Sequence, residues 1–379
     1  MNMFMLRILF LSLFIGINLS ADTNVTIEQS DANMTIEQND ANVTNEQNDT
    51  NVTMDQNSSY VDIVHRKIST KVVDISEKID TTLSGFMRDD ENNTSSKDKN
   101  ITAEIQRYEQ SIDAFYKNKK YTEETDETYV SIRLFSYFQT KEKSQYDASV
   151  NAQVPLVRSQ KRFKLFIENL SKDSSEAHLP QEPQKSDSTP TIGISYFAPL
   201  YEKIKSKFYI ASQGLNPLAK ARVYVDIKAG QWTIEPVQTF TYSIKDKYEE
   251  ETNLYFDYPT SKTSLFRTTL HRRTRDKADG MDYGLSLQHF WTLKRRAGIS
   301  LTQSFGGNTE YEFLNKYGEK EKYREVSYYG TSLSWRENIL KEWLYYQITP
   351  GINFQKQYDF QVNYTISFLF DIYFGNLNY

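Results

Sequence analysis

Residues 360–374 read Phe-Gln-Val-Asn-Tyr-Thr-Ile-Ser-Phe-Leu-Phe-Asp-Ile-Tyr-Phe, and this stretch decides the fold. Phe360, Val362, Tyr364, Ile366, Phe368, Phe370, Ile372 and Phe374 fall on one face of an extended chain, because side chains alternate with a period of two. Gln361, Asn363, Thr365, Ser367, Leu369, Asp371 and Tyr373 fall on the other. Strands of ordinary sheets run about five or six residues, whereas a tilted strand crossing a bilayer needs about ten. One face continuously apolar and the other mostly polar is what lipid outside and a lumen inside require.

The same alternation recurs toward the N-terminus. Leu344, Tyr346, Ile348, Ile352 and Phe354 oppose Tyr345, Gln347, Thr349 and Asn353. Met281, Tyr283, Leu285, Leu287, His289, Trp291 and Leu293 oppose Asp282, Gly284, Ser286, Gln288 and Thr292. Trp232, Ile234, Phe240, Tyr242 and Ile244, and likewise Ala221, Val223, Val225 and Ile227, form further apolar rows. The segments 128–138, 145–157, 161–171, 190–200, 205–213, 218–229, 231–244, 250–258, 262–273, 280–293, 296–306, 322–336, 341–355 and 359–374 predict an all-β, antiparallel transmembrane barrel over 127–379. Its strand count is about fourteen, within a range of about twelve to sixteen, and bacterial barrels of this kind carry even numbers. Connections after even-numbered strands are short, such as Gly230 or Lys294-Arg295; those after odd-numbered strands include 172–189, 274–279 and 307–321. Short turns belong in the periplasm and long loops outside, so both chain ends are expected in the periplasm. A soluble β-sandwich is the rival reading, and it has no use for such long alternation beside so many outward rings.

Composition agrees. Aromatic residues make up 14% of the chain, with 27 tyrosines, against a mean hydropathy of −0.66. A barrel uses such rings as an outward band with girdles at both interfaces. Met1, Arg7, the apolar run Ile8–Ile17 and Asn18-Leu-Ser-Ala21 have the layout of a secretory signal peptide over 1–21. Cysteine is absent, which excludes disulfides and thiolate chemistry, and the net charge of −5 leaves no broad basic field for nucleic acid.

Between signal and barrel lie two different segments. Residues 22–58 carry four nine-residue copies, DTNVTIEQS, DANMTIEQN, DANVTNEQN and DTNVTMDQN, too polar to bury a core and read as a disordered arm. Residues 59–125 begin with a helical stripe, Val61, Val64, Ile68, Val72, Ile75, Ile79, Leu83 and Phe86, with Gly85 near its end. Residues 103–118 are weakly helical. The stripe is expected to dock at the barrel mouth, or to bind a partner or a second copy; docked, it is a candidate plug.

The repeats resemble the sequon of bacterial periplasmic oligosaccharyltransferases, which demands an acidic residue two places before the asparagine. Asn24, Asn33, Asn42, Asn48, Asn51, Asn57, Asn92, Asn93 and Asn100 meet it, and Asn363, which follows Gln361, does not. An Asn/Thr/Asp-rich repeat generates such matches by composition, yet Asn92, Asn93 and Asn100 lie outside the repeat. A second resemblance concerns the barrel. Tyr129-Val-Ser-Ile-Arg133, followed by Gln160-Lys-Arg-Phe-Lys-Leu-Phe-Ile-Glu168, is similar to the opening hairpin of a group of uncharacterised proteobacterial outer-membrane barrels. Those also carry an amphipathic helix ending near an Asp and a Gly/Phe pair, similar to Asp80 and Gly85-Phe86. The resemblance covers roughly residues 60–170 and implies location and architecture alone.

The predicted lumen charges are mixed: Arg133, Arg162, Lys164, Arg222, Lys228 and Arg267 against Glu168, Asp226, Glu235, Asp257, Asp282 and Asp371. Such charges satisfy one another across neighbouring strands, or line a polar pore of weak selectivity. Four histidines at unrelated positions give no metal-ligand spacing, no Gly-rich phosphate loop occurs, and neither a Gly-x-Ser-x-Gly elbow nor a Ser/His/Asn pattern points to catalysis, so neither enzyme activity nor a cofactor is expected. His271 is the one lumen candidate, in a basic strand end, Leu270–Arg275, suited to lipopolysaccharide phosphates. The expected class is a channel for small polar solutes or ions, with an outer-membrane anchor or assembly protein as the alternative. Its expected partners are outer-membrane lipid, lipopolysaccharide and the barrel-assembly machinery; oligomeric state is left open.

Glycosylation has a direct test. In a host with the transferase, the intact mature chain is expected to carry a glycan mass that falls stepwise as Asp22→Ala, Asp31→Ala, Asp40→Ala and Asp98→Ala are combined; an unmodified mass rejects it.

Overall fold

The computed structural model describes residues 60–84, 112, 115–116, 127–156, 163–169, 189–199, 204–294, 297–314, 318–339 and 341–375. The expected signal peptide, repeat arm, all nine sequon asparagines, Gly85, Phe86 and Arg162 lie outside them.

One long helix, α1 (Tyr60–Ser84), precedes the strands. These are β1 (Tyr129–Gln139), β2 (Gln145–Leu156), β3 (Phe163–Asn169), β4 (Pro190–Pro199), β5 (Ile204–Gln213), β6 (Asn216–Val225), β7 (Ile227–Ala229), β8 (Trp232–Ser243) and β9 (Lys247–Ser261). There follow β10 (Ser264–Arg275), β11 (Ala278–Lys294), β12 (Ala297–Asn308), β13 (Tyr311–Leu314), β14 (Lys320–Tyr323), β15 (Tyr328–Asn338), β16 (Leu344–Gln355) and β17 (Val362–Gly375). No described helix is long and apolar enough to cross a membrane; the crossing elements are strands.

Each strand pairs antiparallel with its neighbours in sequence, except that β12 pairs directly with β15 and that β17 returns to β1. The β1–β17 ladder runs from Tyr129↔Gly375 to Gln139↔Thr365 and closes the sheet. β6 and β7 form one strand: its register on β8 is the same before and after the break. The break falls opposite Pro236, whose missing N–H removes a rung. β13 and β14 make a separate hairpin beyond the wall. The wall is therefore a closed barrel of fourteen antiparallel strands. Closure leaves no open edge, which a hydrocarbon environment would penalise at every unpaired amide.

The two faces sort as the period-two rows require. On β17, Asn363, Leu369, Asp371 and Tyr373 are buried inside, while Val362 and Tyr364 stand exposed outside. Ile192, Phe208, Ile210, Leu270, Leu301 and Leu333 are likewise exposed, as lipid-facing residues are in the absence of lipid. Outer rings gather at both ends. Trp232, Trp291, Trp335 and Trp343, all the tryptophans of the chain, lie near the end where β1 starts and β17 finishes, here called the near end. Tyr146, Tyr242, Tyr248 and Tyr364 ring the far end. These are the two aromatic girdles of a membrane barrel.

Two expectations need correction. Residues 274–279 are not a long loop: β10 and β11 continue to Arg275 and Ala278, because Arg273 and Arg275 pair with Asp282 and extend the ladder. The 307–321 loop contains β13, and residues 322–327 belong to the far-end connection, so β15 starts at Tyr328. The helix of the 60–88 stripe lies along the barrel rim, as described below.

Phe368, in the middle of the outward β17 row, gives a test of orientation. Phe368→Arg is expected to cost about 2–4 kcal/mol in urea titrations of the lipid-embedded barrel, and Ser367→Asn, one residue away and inward, far less; equal costs would refute the assigned faces.

Candidate functional site: the lumen and its near-end contents

The inner wall is polar and its charges meet across strands. Arg267 and Asp257 are register partners and make a two-pronged bond, Nε to Oδ1 and Nη2 to Oδ2, both 2.7 Å. Arg133 faces Asp371, Nε donating to Oδ1 at 2.8 Å. Toward the far end Arg273, Arg275 and Asn308 converge on Asp282 at 3.0, 2.9 and 2.7 Å. Two-pronged arginine–carboxylate geometry restrains both side chains, and directly opposed residues in a ladder are near enough to use it.

The other expected lumen residues are placed as follows. Lys164, Arg222 and Glu235 are buried inside. Glu168 is half-buried, and Asp226, near the near-end rim, accepts from Lys205 Nζ at 2.6 Å. Lys228 shares the parity of Arg222 and lies exposed at the near-end rim, where it donates to Thr233 Oγ1 at 2.5 Å. His271 is buried, its Nδ1 2.7 Å from Asn253 Oδ1. Of the Leu270–Arg275 cluster, Arg273 and Arg275 turn to Asp282, while Arg272 pairs outside with Glu250 at 2.6 Å.

The wall formed by β12, β15 and β16 carries small uncharged groups, among them Ser300, Thr302, Ser304, Ser334 and Asn353, all buried. Across β3, β5 and β6 the inner face carries Lys164, Lys207 and Arg222, with Lys207 and Arg222 in register.

Sequence reasoning missed what occupies the near end. Ile112, Phe115 and Tyr116 lie within the barrel: Ile112 and Tyr116 are buried against Leu265 and Phe290, inward residues of β10 and β11. Phe115 packs edge-on to Tyr345 at 6.2 Å and to Tyr116 at 5.1 Å. Two polar contacts fix the segment: Tyr116 Oη donates to the Trp291 carbonyl at 3.3 Å, and Arg336 Nε donates to the Phe115 carbonyl at 3.1 Å. Gly298 makes room for it, since a Cβ there would lie 2.6 Å from Tyr116 Oη and 2.8 Å from Phe115. Arg336, also missed, is 1% exposed; it donates through Nη2 to Asp371 Oδ2 at 3.0 Å and lies 4.7 Å over the Tyr345 ring. Asp371 thus joins Arg133 and Arg336, and Tyr373 Oη donates to it at 3.3 Å. The available signal was parity: Ser332, Ser334 and Arg336 share the inward row.

α1, by contrast, follows the rim. His65 Nε2 donates to the Tyr373 carbonyl at 2.7 Å, and its ring stacks on Trp343 at 4.1 Å and Phe374 at 5.0 Å. Asp62 pairs with Lys341 at 2.5 Å, and Ser76 Oγ is 3.4 Å from Thr128 Oγ1. The helix passes from the β15–β16 turn across the ends of β17 and β1 toward β2.

On the outside, Ser264 Oγ lies 2.8 Å from His289 Nε2, with Thr260 Oγ1 3.3 Å from the same nitrogen and Trp291 stacked at 3.9 Å. The spacing of 25 residues hid this contact. Three of its four members also belong to a strand end ringed by aromatic side chains, and no carboxylate is described against the imidazole. No group of metal-binding side chains occurs among the described residues.

These features define a class: an outer-membrane type of β-barrel with a polar, ion-paired lumen. No protein-family profile and no curated protein matches the chain. Solved structures similar in outline include the outer-membrane protein OmpT of Vibrio cholerae (10% identity, 65% of this chain and 97% of that one, TM-score 0.38). OpdN of Pseudomonas aeruginosa is similar at 5% identity over 66% and 99%, TM-score 0.38. The KdgM porin, solved with disordered oligogalacturonate, is similar at 8% identity over 64% and 98%, TM-score 0.31.

The Asp371 cluster yields a prediction. Asp371→Ala leaves Arg336, 1% exposed, beside a second guanidinium, and is expected to cost about 3–5 kcal/mol in urea unfolding. Arg133→Ala, at a side chain 19% exposed, should cost markedly less; equal losses would contradict the assigned hierarchy.

Proposed function

We propose that the protein is a weakly selective outer-membrane channel for small polar solutes or ions, closed on the periplasmic side by the chain around Ile112–Tyr116. The near end is then periplasmic, and so is the N-terminal arm. The observation that carries this reading is the pair of bonds and the packing that hold Phe115 and Tyr116 inside a barrel of fourteen strands. Eight strands enclose only side chains and sixteen leave an aqueous channel, so fourteen leaves a lumen that something can fill. Internally compensated charges, with Arg267–Asp257 and Arg133–Asp371 as examples, favour neither ion sign. In this reading the helix expected as a plug is a strap on the rim, and Ile112, Phe115 and Tyr116 take the plugging role.

Planar-bilayer recordings test this. The mature chain is expected to conduct weakly, and removal of residues 22–125 to raise its conductance. Gly298→Val, which crowds Tyr116 and Phe115, should raise it too. Silence from every form, with the barrel folded, would reject the channel and favour an outer-membrane anchor acting through its arm or loops.

A further inference from the structure

The apolar stripe of α1 meets the barrel along one edge only, where Val72, Ile79 and Leu83 are half-buried. Tyr60, Val61, Val64, Ile68 and Ile75 are exposed, Ile75 by 55%. The face turned to the barrel mixes polar residues, Asp62, His65, Ser76 and Asp80, with half-buried Val72, Val73, Ile79 and Leu83. An isolated surface helix normally buries its apolar side, so the exposed row of α1 calls for an occupant.

The helix geometry identifies one. Residues advance by about 100° around an α-helix. His65 therefore lies on the edge of the docked face that adjoins the stripe, and this edge meets Phe374, the last ring of the outward β17 row. The opposite edge holds Asp62, bound to Lys341 of the β15–β16 turn. The stripe is thus contiguous with the lipid-facing row of β17, whereas the far edge adjoins a charged turn. On the flank of the stripe away from the barrel stand Lys67, Lys71 and Lys78, all exposed. An apolar row bordered by lysines, lying beside an aromatic girdle, is the pattern of a helix lying in a membrane interface: the apolar side chains enter the acyl boundary and the ammonium groups reach back to phosphates.

We infer that α1 is an interfacial helix, its Val61–Val64–Ile68–Ile75 row inserted in the phospholipid leaflet at the near end of the barrel. This rests on the barrel standing in a bilayer with the orientation proposed above, and not on whether it conducts. A helix held at once by the rim and by the leaflet lies at the same end of the barrel as Ile112 and Tyr116.

The absence of cysteine makes the test clean. Ile68→Cys, Ile75→Cys, Thr70→Cys and Glu77→Cys, one at a time in the full mature chain, are spin-labelled after folding into vesicles of phosphatidylethanolamine and phosphatidylglycerol. Heat-modifiable migration verifies a folded barrel in each. Labels at 68 and 75 are expected to be several-fold more accessible to oxygen, and less to a water-soluble nickel chelate, than labels at 70 and 77. Equal nickel access at all four sites overturns the inference. Dipolar broadening between labels at 68 overturns it in favour of a second copy. Protection at 68 and 75 without oxygen access overturns it in favour of cover by the chain itself. A label that fails to show heat-modifiable folding at all four sites would instead strike at the barrel.

Discussion

The ladder between the first and last strands is the constraint on which the rest depends. β1 and β17 are separated by more than two hundred residues, yet eleven consecutive positions pair, from Tyr129↔Gly375 to Gln139↔Thr365. Without that seam β1 and β17 would each expose a row of unpaired amides to hydrocarbon. The seam also brings together what the near end uses. Asp371 faces Arg133 across it, the Tyr373 carbonyl at its end receives His65, and Gly375 (φ 113°) brings its backbone so near Thr128 that a Cβ would lie 2.4 Å from that carbonyl. Closure, buried charge and helix attachment are thus consequences of one pairing.

Inside, the most deeply buried carboxylates are paired with arginines. Asp257 and Asp371 are almost fully buried and each is bonded to an arginine, which offsets the cost of removing a carboxylate from solvent. Arg336 links this network to the chain within the lumen, because the guanidinium that binds Asp371 also binds the Phe115 carbonyl. The contents of the barrel and the wall are therefore coupled at one side chain. The aromatic contacts of Phe115 and Tyr116 add a dry surface around it.

What the sequence made legible was local. Alternation over 360–374 or 280–293 is a property of consecutive residues, so the rows, their faces and the strand number could be read directly. The corrections arise where a distant partner decides. Arg275 extends a strand because Asp282 is opposite, and β6 breaks because Pro236 lies across from it. Ile112, Phe115 and Tyr116 carry the spacing of any short helix; only the cavity beside Leu265 and Gly298 distinguishes them. The stripe of α1 was equally visible, but a stripe says which face is apolar and not what covers it. Here the covered face is set by His65, Asp62 and Ser76, whose partners lie in the barrel.

The central claim is that the chain closes on itself through β1 and β17 within a membrane. The most direct measurement is disulfide formation in isolated outer membranes between Leu134→Cys and Phe370→Cys, which are register partners on the outward face. Opposed residues of an antiparallel ladder lie about 4.5–5.5 Å apart at Cα, inside the range a disulfide accepts. The account predicts rapid cross-linking of this pair in the heat-modifiable species and none for Leu134→Cys with Ile366→Cys. Two free thiols in the first pair, or cross-linking of the second, would contradict it.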